Sequence, residues 1–198
     1  RGMALKGNIR TLTTWQESEI DIFVLPDDSV YGQTRTYGHI DQTGEFSAGP
    51  IKNPLDFSVT LTAVSDDEYF NDFGEGLALS TVDNIRNAVN LSYNADTYSI
   101  STLFEQYTNI DDSVSTPYYR LPQVKLSWQT EDMLNSVYRS SWTHFAHEEP
   151  ETFTEGDRFN ISWQGHINYS RQWGFVRPGL TLQATQYQLS SPDENVQE

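Results

Sequence analysis

Apolar and polar residues alternate along most of this chain, and this period of two predicts β-strands rather than helices. The longest run extends over residues 159–169, where every odd position is apolar, aromatic or glycine and every even position is polar. A run of this length at about 3.3 Å per residue extends about 36 Å, whereas strands in soluble proteins commonly have about 5–6 residues. A tilted strand that crosses a bilayer needs about 9–11 residues, so the run is typical of a transmembrane strand.

Four other segments alternate in the same way: 57–63, 89–94, 123–129 and 180–185. The alternation is less regular around residues 102–107, where the apolar face changes, and a β-bulge would explain the change. Acidic or turn-rich stretches separate the runs at 26–28, 65–68, 111–112 and 147–151. The pattern predicts an all-β antiparallel segment of roughly 8–10 strands joined as hairpins, which spans residues 1–198 without a linker or a second domain.

The polar face of the predicted strands carries mainly Ser, Thr, Asn and Gln, whereas a soluble sheet usually presents charged residues to water. An outer-membrane barrel turns its apolar face to lipid and its polar face to the lumen, and it must close because lipid does not tolerate open sheet edges. Aromatic residues near the expected strand ends fit the interfacial girdles of such barrels. They are Tyr69, Phe70, Phe73, Tyr118, Tyr119, Trp142, Phe145, Trp173 and Phe175. A soluble β-sandwich whose core these rings cap is the alternative.

Composition narrows the possible functions. Aromatic residues make up 13% of the chain, and this large burial potential indicates a folded protein. The net charge of −16 repels phosphate backbones, so nucleic acid is not an expected partner. The sequence has no Cys, which excludes disulfides, thiolate metal sites and Cys nucleophiles. It also lacks a run of about 18 apolar residues, so no transmembrane helix is predicted.

Two groups of residues are candidates for binding a metal ion. His144, His147, Glu148 and Glu149 combine suitable ligands, but a strand or loop does not converge them as an i,i+4 helical spacing would, and a solvated loop is the competing interpretation. The acidic residues between 66 and 75 lack the spacing of an EF-hand, so loose divalent binding and a plain acidic loop both remain open. No nucleophile elbow, phosphate loop or dinucleotide fingerprint is present, and we predict neither catalysis nor a cofactor.

Four short strings carry a more specific signal. They are Leu25-Pro-Asp-Asp28 with Tyr31 and Arg35, Ser65-Asp-Asp-Glu-Tyr-Phe-Asn-Asp-Phe73, Pro117-Tyr-Tyr-Arg-Leu-Pro-Gln123, and Trp173-Gly-Phe-Val-Arg-Pro178 with Leu180, Ala184, Thr185 and Tyr187. They resemble segments of the LPS-assembly protein LptD family, also called organic solvent tolerance proteins, and they occur here in the same order as in that family. Each string alone is weak, but four in order over nearly the whole chain are specific.

The resemblance implies a segment from the first half of a Gram-negative outer-membrane barrel of about 26 strands. It implies a periplasmic jelly-roll domain and the first strands before residue 1, and the remaining strands after residue 198. The family inserts lipopolysaccharide into the outer leaflet, with an LptE-like plug lipoprotein inside the barrel and a periplasmic transport bridge joined through the N-terminal domain. The family's gate lies where the first and last strands meet, so the resemblance assigns no gate residue here.

The even positions of the longest run are the candidate site: Asn160, Ser162, Gln164, His166 and Asn168. We expect them to face the lumen and contact the saccharide or the plug lipoprotein, while the odd positions face the lipids of the outer membrane. Two other functions remain open from the strand pattern alone: a different outer-membrane channel, and a secreted sugar-binding β-sandwich. The four strings favour the lipopolysaccharide-assembly role over both.

Overall fold

The computed structural model describes residues 2–47, 49, 51–73, 83–111, 113–131 and 134–190. Within these ranges the chain forms one ten-stranded antiparallel sheet, a two-stranded ribbon and a five-residue helix. The predicted all-β antiparallel architecture and its number of strands are therefore confirmed. In the described part of the chain, no helix is long and apolar enough to cross a membrane.

The sheet is a simple meander in which each strand pairs with the next strand of the same sheet along the chain. Its strands are β1 (Leu5–Leu12), β2 (Gln16–Leu25), β3 (Arg35–Phe46), β4 (Leu55–Val64), β5 (Asn84–Asn94), β6 (Tyr98–Asn109), β7 (Tyr119–Glu131), β8 (Asn135–Ala146), β9 (Glu155–His166) and β12 (Gly179–Ser190). Helix α1 (Tyr69–Phe73) follows β4, and β10 (Tyr169–Arg171) pairs with β11 (Gly174–Val176) as the ribbon between β9 and β12. The sheet is open, with β1 and β12 at its edges.

The two ends of the sheet differ in the length of their connections. At the short-turn end, three connections have only three residues, 13–15, 95–97 and 132–134. The other two connections at this end are 47–54 and 167–178, and the second contains the ribbon. At the long-loop end, the connections are 26–34, 65–83, 110–118 and 147–154, and these contain the acidic stretches predicted to be loops. Three-residue turns therefore occur at the short-turn end alone among the connections of the sheet, and bacterial outer-membrane barrels likewise have short periplasmic turns and longer extracellular loops.

Four of the five alternating runs lie within β4, β5, β7 and β12 as predicted. The longest run is displaced, because β9 begins at Glu155 and ends at His166. The ladder with β12 stops at the His166–Gly179 pair, since the preceding residue, Pro178, has no N–H to donate. The Pro178 carbonyl still accepts a hydrogen bond from the Ile167 N–H at 3.0 Å, and the chain then enters the ribbon.

A register shift does occur near residues 102–107, but the extra residue belongs to the opposite strand. Strand β6 pairs with β5 without interruption, whereas its pairing with β7 shifts between Leu103 and Glu105. The pairing of β7 with β8 also shifts, between Arg120 and Gln123. Both shifts leave one unmatched residue in the Leu121–Pro122 segment of β7, where proline cannot donate to a ladder.

Strands β4 and β5 pair over only six residues, Leu55–Thr60 against Ala88–Tyr93. Toward the long-loop end they separate, and β4 continues to pair with β3 while β5 continues to pair with β6. In the gap, the side-chain oxygen of Asn87 accepts a hydrogen bond from the Thr62 backbone N–H at 2.6 Å. The amide thus replaces a ladder partner for Thr62, and we call this separation the β4–β5 fork.

Helix α1 covers one face of the sheet at the long-loop end. Its residues Tyr69 and Phe70 are buried together with Ile85 and Ile110. Partly buried Phe23, Tyr37, Val64 and Phe73 pack around them, and the Tyr37 and Tyr69 rings stack with centroids 5.5 Å apart. We call these eight residues the α1 cluster.

The α1 cluster corrects one expectation from the sequence. Tyr69, Phe70 and Phe73 do not form an interfacial girdle, because the short helix turns their rings back onto the sheet. The remaining predicted girdle residues lie at both ends of the sheet, and the Tyr118 and Phe145 rings contact each other at the long-loop end, with centroids 6.4 Å apart. Trp142 is exposed on β8, whereas Trp173 and Phe175 are exposed at the ribbon.

Candidate functional site on the polar face

The strand registers divide the side chains of the sheet between two faces. The first, the apolar face, contains the paired row Ile9, Ile20, Ile40 and Leu61. Its exposed large residues also include Ile22, Phe46, Val89, Leu91, Tyr98, Ile100, Phe104, Leu126, Trp128, Tyr138, Trp142, Phe159, Ile161, Leu180 and Leu182. Its only charged side chains in the described strands are Glu155 and Asp157, at the long-loop end of β9. This wide apolar surface therefore remains uncovered in the described chain.

An aromatic row crosses the apolar face near the short-turn end. It consists of Tyr93, Tyr98, Trp128, Tyr138 and Trp163 on five consecutive strands. The rings of Trp128 and Tyr138 stack at 5.5 Å, and the Trp163 ring lies where a Cβ on Gly165 would be, 2.5 Å from its nearest atom. Such a row is typical of a membrane–water interface. The sequence contained part of this signal, since Tyr93 and Tyr98 lie on either side of residues 95–97 and Trp128 and Tyr138 lie on either side of residues 132–134.

The opposite face, the polar face, carries four of the five candidate residues. Asn160, Ser162, Gln164 and His166 alternate along β9, and β8 and β12 place Arg139 and Gln183 on either side of Ser162. Asn168 lies beyond the end of β9, exposed beside the ribbon. The structure therefore brings four candidate residues together and separates the fifth from them.

Most of these four side chains have unused hydrogen-bonding capacity. Asn160 Nδ2 donates to Thr185 Oγ1 at 2.7 Å and to the Ala184 carbonyl at 3.3 Å. Within the described residues, Ser162, Gln164 and His166 make no side-chain hydrogen bond. Hydroxyl, amide and imidazole groups can donate or accept, so this part of the polar face can bind a sugar or a polar protein surface without first breaking internal contacts.

A buried charge cluster lies at the long-loop end of the polar face. The Arg35 guanidinium has no exposed surface and binds Asp66 through two hydrogen bonds, from Nε at 2.9 Å and from Nη2 at 2.5 Å. It also pairs with Asp72 and lies 3.8 Å from Asp28. The Arg35 cluster, formed by these four residues, ties the 26–34 loop to the segment that contains α1.

Aromatic rings complete the enclosure of Arg35. Its guanidinium carbon lies 4.5 Å from the Tyr31 ring centroid and 4.8 Å from that of Phe73, distances that favour cation–π attraction. Burial also raises the pKa of Tyr69, which packs beside it, to about 12. Residues of the first two family-like strings therefore contact each other around Arg35. The sequence alone did not reveal this contact.

A second charge group joins β5, β6 and β7 on the polar face. The Glu105 side chain is 1% exposed and accepts from Arg86 Nε at 2.5 Å and from Arg120 Nε at 2.5 Å. Both arginines remain partly exposed. Arg120 belongs to the third family-like string, so this string too contributes to an internal contact.

The histidine–carboxylate group does not converge on a common point. His147 Nε2 donates to the Thr116 carbonyl at 2.9 Å, while its Nδ1 accepts from the Glu149 N–H at 3.0 Å. His144 Nδ1 instead lies 3.1 Å from Asp157. In the described ranges no group of three or more potential ligands could hold a metal ion; of the acidic candidates between 66 and 75, Glu75 lies outside the described residues.

Comparison with known proteins identifies the family. The sequence profile described as "LptD: LPS transport system D" matches residues 36–198. The chain belongs to the LptD family. The LPS-assembly protein LptD of Aromatoleum aromaticum (strain EbN1) is 32% identical over 96% of this chain and 24% of the relative. The proteins of the same name from Azoarcus sp. (strain BH72) and Alkalilimnicola ehrlichii are 28% and 26% identical over 97% of this chain.

The family assignment confirms the resemblance and the predicted outer-membrane location, because LptD proteins are outer-membrane lipopolysaccharide-assembly proteins. The chain spans about a quarter of the length of these curated relatives. The LptD match includes nearly all of β3 and every later strand, and therefore most of the exposed apolar face and the four candidate residues on β9.

Proposed function

We propose that this chain is part of the wall of a transmembrane β-barrel that inserts lipopolysaccharide into the outer leaflet of the outer membrane. The apolar face contacts lipid, and the polar face lines the lumen. The jelly-roll domain, which contacts the periplasmic transport bridge, precedes this segment, and further strands follow it and close the sheet. Translocation along a polar wall requires no covalent chemistry, so the role is non-catalytic.

The separation of charge between the two faces is the observation that carries this proposal. Charged strand residues concentrate on the polar face, whereas the apolar face exposes aliphatic and aromatic side chains across ten strands. In water, so large an apolar surface would promote aggregation, but in a bilayer it is the required surface. A β-sandwich would cover it with a second sheet, and the described residues offer only the small ribbon.

On β9, we assign Asn160, Ser162, Gln164 and His166 to the lumen, where they contact either the saccharide or an LptE-like plug lipoprotein. Their open hydrogen-bonding capacity supports this assignment. Asn168 lies next to the ribbon at the short-turn end, and we place it at the edge of the proposed lumen.

Two neighbouring residues near the middle of β9 provide the test. Ile161 is 48% exposed on the apolar face, and Ser162 lies on the polar face. In the full-length protein, Ile161→Lys should cost about 2–4 kcal/mol if the side chain faces the bilayer midplane, whereas Ser162→Lys reaches water and should cost little. Heat-modifiable migration of the protein from outer membranes measures the folded fraction of each variant.

The outcomes separate the membrane interpretation from a soluble one. If Ile161 faced water, Lys at this half-exposed position would be harmless, and equal folding of both variants would refute the lipid assignment. Greater damage from Ser162→Lys would show that the faces are reversed. Ile161→Leu is the matched control and should fold normally, because lipid accepts either aliphatic side chain.

A further inference from the structure

The β4–β5 fork borders a groove on the apolar face, close to the long-loop end. The groove has a volume of about 410 Å³ and is lined by Ile20, Ile22, Ile40, Leu61 and Ala63 among others. Gly38 contributes no side chain to its floor, and a Cβ there would meet no atom within 4 Å. The groove therefore exists because two small residues, Gly38 on β3 and Ala63 on β4, lie next to the gap between β4 and β5.

The polar side of the fork is covered. Val64 at the end of β4 and Ile85 at the start of β5 lie on opposite sides of the gap, and both belong to the α1 cluster. Asn87 links the strands through its hydrogen bond to the Thr62 N–H. These contacts close the groove on the side of the polar face. The groove is therefore open to the apolar face, which is the membrane side of the proposed barrel wall.

We propose that this groove binds an acyl chain of lipopolysaccharide in the outer leaflet, an inference that rests on the proposed function. The walls suit a hydrocarbon chain, and they continue directly into the exposed apolar face. The groove lies at the long-loop end, which is the extracellular end in barrels of this type, so the adjacent leaflet contains the lipopolysaccharide.

One polar side chain beside the groove matches the same ligand. Gln106 lines the groove, is exposed, and makes no side-chain hydrogen bond within the described residues. An amide N–H₂ can donate to a carbonyl, and each acyl chain of lipopolysaccharide is joined through an ester or amide carbonyl. Gln106 thus adds a directional contact at the point where the chain meets its headgroup.

Site-specific photo-crosslinking in the full-length protein tests the proposal. A photoreactive amino acid at Leu61 reports on the groove, and one at Ile161 reports on the same apolar face outside it; both positions are partly exposed. The probe is the cell's own lipopolysaccharide, detected by antibody, with phospholipid adducts detected separately by mass spectrometry. We expect several-fold more lipopolysaccharide adduct at Leu61 than at Ile161.

Filling the groove should remove the excess labelling. Gly38→Leu places a side chain in open space within the groove. Gly7→Leu is the matched control, because Gly7 lies on the same face opposite Ile22 and its Cβ direction is also open. Gly38→Leu should lower the Leu61 adduct to the Ile161 level, while Gly7→Leu should leave it unchanged, with folding verified by heat-modifiable migration.

Each result has a distinct meaning. Equal adducts at Leu61 and Ile161 in the unmodified protein would overturn the groove site and leave the lipid-facing wall intact, and so would a Leu61 adduct that Gly38→Leu does not reduce. An excess of phospholipid rather than lipopolysaccharide at Leu61 would overturn the choice of ligand. A lack of lipid adducts at both positions would contradict the proposed function itself.

Discussion

Two regions of the polar face use polar side chains in opposite ways. Beneath α1, Arg35 is fully buried, binds Asp66 and Asp72 from the segment that contains α1, and lies 3.8 Å from Asp28 of the 26–34 loop. On β9, Ser162 and Gln164 are uncharged, at least partly exposed and without side-chain hydrogen bonds in the described chain. The first region uses its polar groups for internal contacts, whereas the second leaves them available to another molecule.

This difference separates structural from functional candidates by a physical criterion. A buried charge whose partners belong to the same chain mainly fixes the position of those partners, and its removal leaves uncompensated charge. An exposed amide or hydroxyl contributes little to stability and can exchange water for a ligand at small cost. We therefore expect substitutions under α1 to affect folding and substitutions on β9 to affect binding.

The largest effect is expected for Arg35→Met. The substitution leaves Asp66 and its acidic neighbours in the cluster without their guanidinium, and breaking a buried pair typically costs about 3–5 kcal/mol. Denaturant unfolding of the full-length protein in detergent micelles, followed by heat-modifiable migration, measures the loss. Arg35→Lys should be intermediate, because one ammonium cannot reproduce the paired hydrogen bonds to Asp66.

The control for the buried Arg35 ion pairs is an ion pair exposed to solvent. Arg10 pairs with Glu17 on the polar face, and their side chains are 65% and 47% exposed. Exposed pairs contribute about 0–1 kcal/mol, so Arg10→Met should have little effect on unfolding. Similar losses from Arg35→Met and Arg10→Met would contradict the role assigned to burial.

Glu105→Gln should have the next largest effect. The change removes the charge that Arg86 and Arg120 share, and hydrogen bonds to charged groups contribute about 1.5–3 kcal/mol. The loss should be smaller than for Arg35→Met, because both arginines are partly exposed and can turn toward water. The same unfolding measurement applies, and a Glu105 loss greater than the Arg35 loss would reverse the proposed order.

Raising the pH should weaken the α1 cluster through Tyr69. Burial raises its pKa from 10.0 to about 12, so the folded state favours the neutral phenol. This contribution is fully present below pH 10 and is lost as the pH rises through 12, with an upper limit of about 2.7 kcal/mol. Unfolding of Tyr69→Phe should lack this pH-dependent component, and an identical alkaline response in both proteins would exclude Tyr69 as its source.

The sequence predicted the strands better than the contacts between loops. A period of two follows directly from the pleat, so β4, β5, β7 and β12 could be located from their side-chain pattern. The end of β9 could not be located in this way, because it is Pro178, in the segment before β12, that ends the β9–β12 ladder. The burial of Tyr69 and Arg35 depends on two segments about 30 residues apart meeting on the sheet, and alternation carries no information about such contacts. On β9, alternation located Asn160, Ser162 and Gln164 but extended too far at Asn168.

The smallest effect on stability, with the clearest effect on binding, is expected on β9. Ser162→Ala with Gln164→Ala removes polar atoms that make no side-chain hydrogen bond within the described chain, so the free energy of unfolding should change by no more than about 0.5 kcal/mol.

If these residues contact an LptE-like plug lipoprotein in the lumen, photo-crosslinkers at 162 and 164 should capture it, and those at 161 and 163 should not. The double variant should also retain less of the plug during purification. Capture only from 161 and 163 would show that β9 presents its other face to the plug, whereas lipopolysaccharide adducts alone at 162 and 164 would assign these residues to the saccharide path.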